Sequence, residues 1–383
     1  MKKALTPVLF LFFLLFRLPS QAQSRAAETR KSHSPAPTPL SAYRAVTIQL
    51  QGIKDQRIQQ IMKSGFFSHF DVIDERPDTS RIGIHADTYR SGNSHNRQLV
   101  FARPAAEEIA NYLNTRFTHP EAPCTALVVL RLLWLTDPNY SRDDMLKDPE
   151  RRLDKSKIRL RAEIYAVKDN VYVPLLRYDS LFTSTAGSYR QYGMHLADLL
   201  DDLADSSTAE AGKKWVGGRR LTLEDIRHFN QARFEAAIFR APSLMPGVYR
   251  SFSEFRNNNP SITSFEIKKD KNILFLYLKE AGGQSYYSHN AWGYCDGQNV
   301  FVMKDGMLNP AWNEGKAWYL MGLARIEDAS SPPGPAAALT NMSPAAGIAG
   351  MGASAQFNNM IYNALNFDQV HVFAIDLETG GFY

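Results

Sequence analysis

Residues 157–167, KIRLRAEIYAV, alternate apolar and polar positions without a break. An extended chain points successive side chains to opposite faces, so Ile158, Leu160, Ala162, Ile164 and Ala166 share one face. Lys157, Arg159, Arg161 and Glu163 take the other, which predicts a strand packed on one side and wet on the other, as antiparallel sheets allow. The neighbouring segments tighten that constraint. CTALVVLRLLWLTD (124–137) is apolar on both faces and reads as a central strand. KDN turns 157–167 into VYVPLLRYDSLFTS (171–184), where Pro174 lacks a ladder donor and implies an edge position or a bulge.

Helical signals flank these strands. Pro104 suits a first helical position, and Ala105, Ile109, Leu113 and Phe117 recur at i+4 as one apolar stripe. A helix over 194–205 buries Leu196, Leu199, Leu200 and Leu203 and sets Asp198, Asp201, Asp202 and Asp205 on a solvated face. Thr222 with Asp225 resembles a capping box opening a helix through about Arg240, and a further helix is expected at 55–65. SFSEFRNNN (251–259) is a short helix ended by Pro260, and the chain beyond that proline is mostly β. SFEIKKDKNILFLYLKE (264–280) reads as a hairpin, with later strands in KAWYLMGLARIE (316–327) and VHVFAIDL (370–377). The expected class is α+β. An N-terminal α+β domain (43–211) has a mostly antiparallel sheet with flanking helices. A linker and connecting helix (212–245) lead to a C-terminal antiparallel β-meander domain with short helices (246–383). Residues 328–356 turn abruptly to Ala, Gly, Pro and Ser and read as a flexible insertion, followed by a short helix at about 357–366.

The N-terminal end carries an address. Lys2 and Lys3 precede an apolar run from Val8 to Phe16, and Ser20-Gln21-Ala22 supplies small residues for cleavage before Gln23. Residues 1–22 therefore read as a signal peptide and 23–42 as a disordered tether, so the expected location is exported, periplasmic or extracellular. The apolar run is far short of the ~20 residues needed to span a bilayer, so no transmembrane segment is expected in the mature chain. Charge points away from nucleic acid. Of the net +5, the leader contributes three charges and residues 23–44 a further three, leaving −1 on the rest, where a nucleic-acid binder needs a basic face.

AWGYCDGQNVF (291–301) poses the main chemical question. With Asp296-Gly297 as a two-residue type I′ turn, Cys295 faces Gln298, and the side chains divide cleanly. Trp292, Tyr294, Phe301 and Met303 take one side, and Gly293, Cys295, Val300 and Val302 the other. The alternative is a thiol enzyme with Cys295 as nucleophile and His371 as base. WGYCDG followed by a strand bearing a histidine resembles the NlpC/P60 cell-wall peptidases, and that resemblance implies a cysteine hydrolase acting on peptide or cell-wall substrate. In that family the cysteine opens a helix. Here QNVFVM comes next and is β-forming, which removes the helix terminus that would activate a thiol. Cys124 and Cys295 are the only cysteines, and the sequence leaves open whether they are bridged or are two buried thiols. No H-x-x-x-H, C-x-x-C or phosphate loop is present, so neither a metal nor a cofactor is expected.

Eight aromatic side chains fall in the 34 positions 286–319, about twice the chain's 11%, and such faces beside Asn and Asp suit sugar or peptide. Tyr286, Tyr287 and Trp312, placed in loops, are the residues expected to be exposed for binding. GVYRSFSEFRNNNPSI followed by WGYCDGQNVFV resembles a pattern in uncharacterised exported proteins of Bacteroidota, over about a third of the chain, and implies no activity. The expected role is a non-catalytic cell-envelope protein that binds a protein or glycan partner through its C-terminal β domain.

Overall fold

The computed structural model describes residues 39–52, 65–88, 94–137, 156–184, 189–270, 273–279, 282–304, 306–323 and 370–383. The leader, most of the tether, the helix expected at 55–65, the insertion at 328–356 and the helix at 357–366 lie outside these residues. Pro39–Tyr383 form one compact unit of mixed α and β content in which sheet dominates. Among the described residues, no helix is long and apolar enough to cross a membrane.

The first sheet contains β1 (Ala45–Thr47), β2 (Phe67–Asp74), β3 (Gly83–Thr88), β4 (Ser94–Val100), β5 (Cys124–Asp137), β6 (Ser156–Lys168) and β7 (Val171–Ser184). Its order is β1-β4-β3-β5-β6-β7, with β2 also on β5. It is mostly antiparallel by its long ladders, β3–β4, β5–β6 and β6–β7, but mixed: the shorter β1–β4, β2–β5 and β3–β5 pairings run parallel. Parallel neighbours need a long return path, and α1 (Ala105–Phe117) supplies it on the way to β5. The long strands carry the expected devices. Asp169 and Asn170, with φ of 53° and 60°, form the two-residue turn between β6 and β7. Pro174 lies on an edge strand and beside a register shift, so both readings of it hold.

The apolar face of β6 packs as the alternation requires: Ile158, Leu160, Ala162, Ile164 and Ala166 are all fully buried. They join the stripe of α1 and Leu196, Leu199, Leu200 and Leu203 of α2 (Tyr189–Lys214) in one core. The aspartates of α2 are not uniformly solvated. Asp201 accepts from Tyr112 at 2.6 Å and Arg116 at 2.9 Å, and Asp202 accepts from Tyr178 at 2.8 Å. These bonds tie α2 to α1 and β7; Asp201 is half-buried, while Asp198, Asp202 and Asp205 stay exposed as expected.

The expected wet face of β6 is mostly dry. Arg161 is only 2% exposed. Two pieces of chain from beyond the first sheet cover this side. Leu221 and Ile226 pack on Leu127, Val129 and Tyr165, at the start of α3 (Leu223–Ala232), which the Thr222–Asp225 capping box opens. The C-terminal strap, residues 375–383, lies over Arg159 and Arg161. A period of two assigns faces, but it carries no information on what distant chain will lie across them.

Past α3, a single turn, α4 (Ala237–Arg240), stands where the sequence predicts one continuous helix. The second sheet holds β8 (Gly247–Tyr249), β9 (Phe265–Asp270), β10 (Ile273–Lys279), β11 (Ser285–Tyr287), β12 (Gly293–Cys295), β13 (Val300–Lys304), β14 (Met307–Glu314), β15 (Ala317–Leu323) and β16 (Val370–Ala374), with α5 (Phe252–Arg256) after β8. Its named strand pairings are all antiparallel, and β12 to β16 follow one another as a meander. A third cluster joins the sheets: Ile84 and Trp134 of the first meet Tyr319, Val372 and Ala374 of the second. Leu40, assigned by sequence to the tether, is fully buried there, and its amide donates to Glu314 at 2.6 Å.

Candidate binding face

Cys295 lies in a hairpin, but its register differs from the expectation. Cys295 pairs with Val300, Tyr294 with Phe301 and Gly293 with Val302, so the loop has four residues. The Asp296 carboxylate accepts from the amides of Gln298 at 2.8 Å and Asn299 at 2.6 Å and from the Asn299 side chain at 3.0 Å. These bonds close a wider loop than Asp-Gly alone would. The slip is two positions, an even number, so Gly293, Cys295, Val300 and Val302 still share a face. Trp292 departs from the division: it stacks on Phe255 of α5 with centroids 4.3 Å apart, away from Tyr294.

The Cys295 sulfur is fully buried and accepts from the Gly297 amide at 3.2 Å. Burial pushes its acidity down, raising the thiol above its ordinary value, with the Gly297 bond pulling weakly the other way. His371 is also fully buried, on β16, and its Nε2 meets Thr136 Oγ1 at 2.5 Å. Burial lowers its imidazole to about 3, and Lys304 and His85 push the same way. Between their strands in the ladder stand β13, β14 and β15. The thiol and the imidazole are not brought together; burial keeps the thiol protonated and makes the imidazole a weak proton acceptor. Cys124 and Cys295 are both free and sit in different cores. Among the described residues no three His, Cys, Asp or Glu side chains group to hold a metal ion.

Tyr286, Tyr287 and Trp312 lie on strands, not in loops, because each continues an antiparallel ladder. Trp312 is half-buried against Tyr319 at 6.0 Å, and its indole N–H donates to Glu314 at 3.3 Å. It faces the joint between the sheets. Tyr286 and Tyr287 are adjacent in β11 and so point to opposite faces. Tyr286 is 48% exposed, while Tyr287 is half-buried with its hydroxyl donating to the Gly306 carbonyl.

Tyr287 belongs to a larger group. β9, β10 and β11 form a ribbon whose Leu274, Leu276 and Leu278 pack inward on Val248 and Leu308. Alternation sends Phe275 and Tyr277 to the other side, and register sets Tyr277 directly opposite Tyr287. Tyr287 has its centroid 6.0 Å from both Phe275 and Tyr277, at interplanar angles of 67° and 60°, and 6.1 Å from His289. Lys268 of β9 holds its ammonium 4.2 Å from the centre of the Tyr277 ring. None of these rings is fully buried. The sequence flagged Tyr287 but missed Phe275 and Tyr277, because ILFLYLK is apolar at nearly every position and only the pairing shows which face is outside. By contrast, a cleft of about 230 Å³ between Thr79–Ile82 and Val100–Ala105 has its two arginines already paired, Arg81 with Asp78 and Glu314 and Arg103 with Glu108. Comparison with protein-family models, with curated proteins and with solved structures finds no match.

Proposed function

We propose that this chain is an exported cell-envelope protein that binds a protein or glycan partner, without catalysis, through the outer face of the β9–β10–β11 ribbon. One observation carries the reading: Phe275, Tyr277 and Tyr287 form a continuous group of partly exposed rings on the outside of a sheet. Aromatic side chains of this size usually fill cores, and outside a core their broad, amphipathic surfaces favour recognition. Export rests on the leader pattern of residues 1–22 alone, and the division into 43–211 and 246–383 as two domains rests on the separate cores of the two sheets.

The test is retention of envelope proteins and glycans by the immobilised chain and by two variants. Tyr277→Ala strips the outer face and is expected to weaken retention about tenfold, equivalent to about 1.4 kcal/mol. Tyr286→Ala, on the opposite side of the ribbon, is expected to leave it unchanged. Equal retention by wild type and Tyr277→Ala, with both folded by circular dichroism, would remove the ribbon from the function. N-terminal sequencing of the secreted product is expected to begin at Gln23.

A further inference from the structure

Glu378 lies in the strap after β16, and its carboxylate meets four guanidinium groups. Arg131 approaches at 3.2 Å, Arg161 and Arg233 at 3.4 Å each, and Arg177 also bonds it. The arginines come from β5, β6, the end of α3 and β7, so four elements converge on one oxygen pair. The surrounding charges are accounted for. Glu163 pairs with Arg131, Asp179 pairs with Arg159 at 2.5 Å and Arg161 at 3.1 Å, and Asp376 grips Arg161 through both oxygens. Arg131, Arg159, Arg161, Arg177 and Arg233 thus face Glu163, Asp179, Asp376 and Glu378, an excess of one positive charge that becomes two without Glu378. A cleft of about 20 Å³, lined in part by Arg131, Arg233 and Glu378, adjoins the group. Guanidinium forks converging from several directions are the usual means of holding a phosphate or sulfate, whose oxygens accept on all sides, whereas one carboxylate offers only about four lone-pair directions in a plane.

We propose that this arginine ring is a binding site for a small tetrahedral oxyanion, phosphate or sulfate, which the chain keeps occupied with its own Glu378 so that anion and strap compete. Two measurements test it. Glu378→Gln keeps the size of the side chain and the Asp376–Arg161 pair but removes the resident charge. Its melting temperature is expected to rise by several degrees in phosphate or sulfate relative to sodium chloride at equal ionic strength, with a smaller rise in wild type. In the wild-type chain, phosphate is expected to speed amide exchange of residues 376–383 at least threefold while exchange in β10 and β13 stays constant. An equal salt response in variant and wild type, or unchanged exchange of the strap, overturns the proposal. Should Glu378→Gln fail to fold, the wild-type exchange decides alone.

Discussion

The two faces of β6 are both largely withdrawn from water, by different physics. On one side Ile158, Leu160, Ala162, Ile164 and Ala166 meet the helices in an apolar core. On the other Arg161 is buried against Asp376, itself 4% exposed and accepting further bonds from Tyr383 at 2.7 Å and Thr379 at 2.6 Å. The apolar side gains from removing hydrocarbon from water and is forgiving of small repacking. The charged side pays desolvation of each ion and recovers it only while every partner stays in place. Burial alone would raise the Asp376 carboxyl, yet hydrogen bonds from Arg161, Thr379 and Tyr383 outweigh it and hold the group below its ordinary value. Glu378 behaves likewise, burial being overcome by the charges of Arg131, Arg161 and Arg177. Arg233 shows the strain of the arrangement: burial, then repulsion from Arg131, bring it down to about 10.

Breaking the charged side should therefore cost most. Asp376→Ala leaves Arg161 buried without its main partner and is expected to destabilise by about 3–5 kcal/mol in denaturant unfolding. Replacing both, as Arg161→Met with Asp376→Leu, is expected to recover most of that loss, and failure to recover would mean that the pair is needed for more than charge balance. Leu160→Ala, on the apolar side, is expected to cost about 3 kcal/mol through a cavity, with no dependence on salt.

Acid separates the two sides further. Asp376 and Glu378 have depressed folded values, so their contribution is complete above the free carboxyl range, about 4, and is lost as pH falls through the folded values. His371 acts earlier. Its folded value is lowered from 6.5 to about 3, so the unfolded chain takes up a proton first. Stability should fall by up to about 1.4 kcal/mol per pH unit once pH drops below 6.5. His371→Gln should flatten the slope between pH 6.5 and 4 and leave the steeper loss below it, as followed by urea midpoints. Thr222→Ala, which opens the capping box of the helix over the charged side, is expected to cost about 1 kcal/mol. Leu181→Thr, at a side chain 50% exposed on the edge strand, should change stability by less than about 0.5 kcal/mol.

Legibility followed the range of the interaction. The strand at 124–137, the α1 stripe, the capping box at Thr222 and the Pro174 bulge were all readable, because each depends on residues within a few positions of one another. The Cys295 hairpin was readable as a hairpin and in most of its faces, but its loop length was set by the Asp296 side chain rather than by Asp-Gly. Tyr287 was singled out for its composition, while its partners Phe275 and Tyr277 needed the register of β10 against β11. The parallel pairing of β2 with β5 and the burial of Leu40 had no local signal at all.

Alternation, turn chemistry and caps are properties of neighbouring residues, and on their own they determined most of the strands and helices and which side chains of β6 share a face. Whether Arg161 would meet water or Asp376, 215 positions away, was decided only when the strap closed over the sheet. The physical reason is that a charge's free energy depends on its three-dimensional surroundings, which a periodic pattern does not encode.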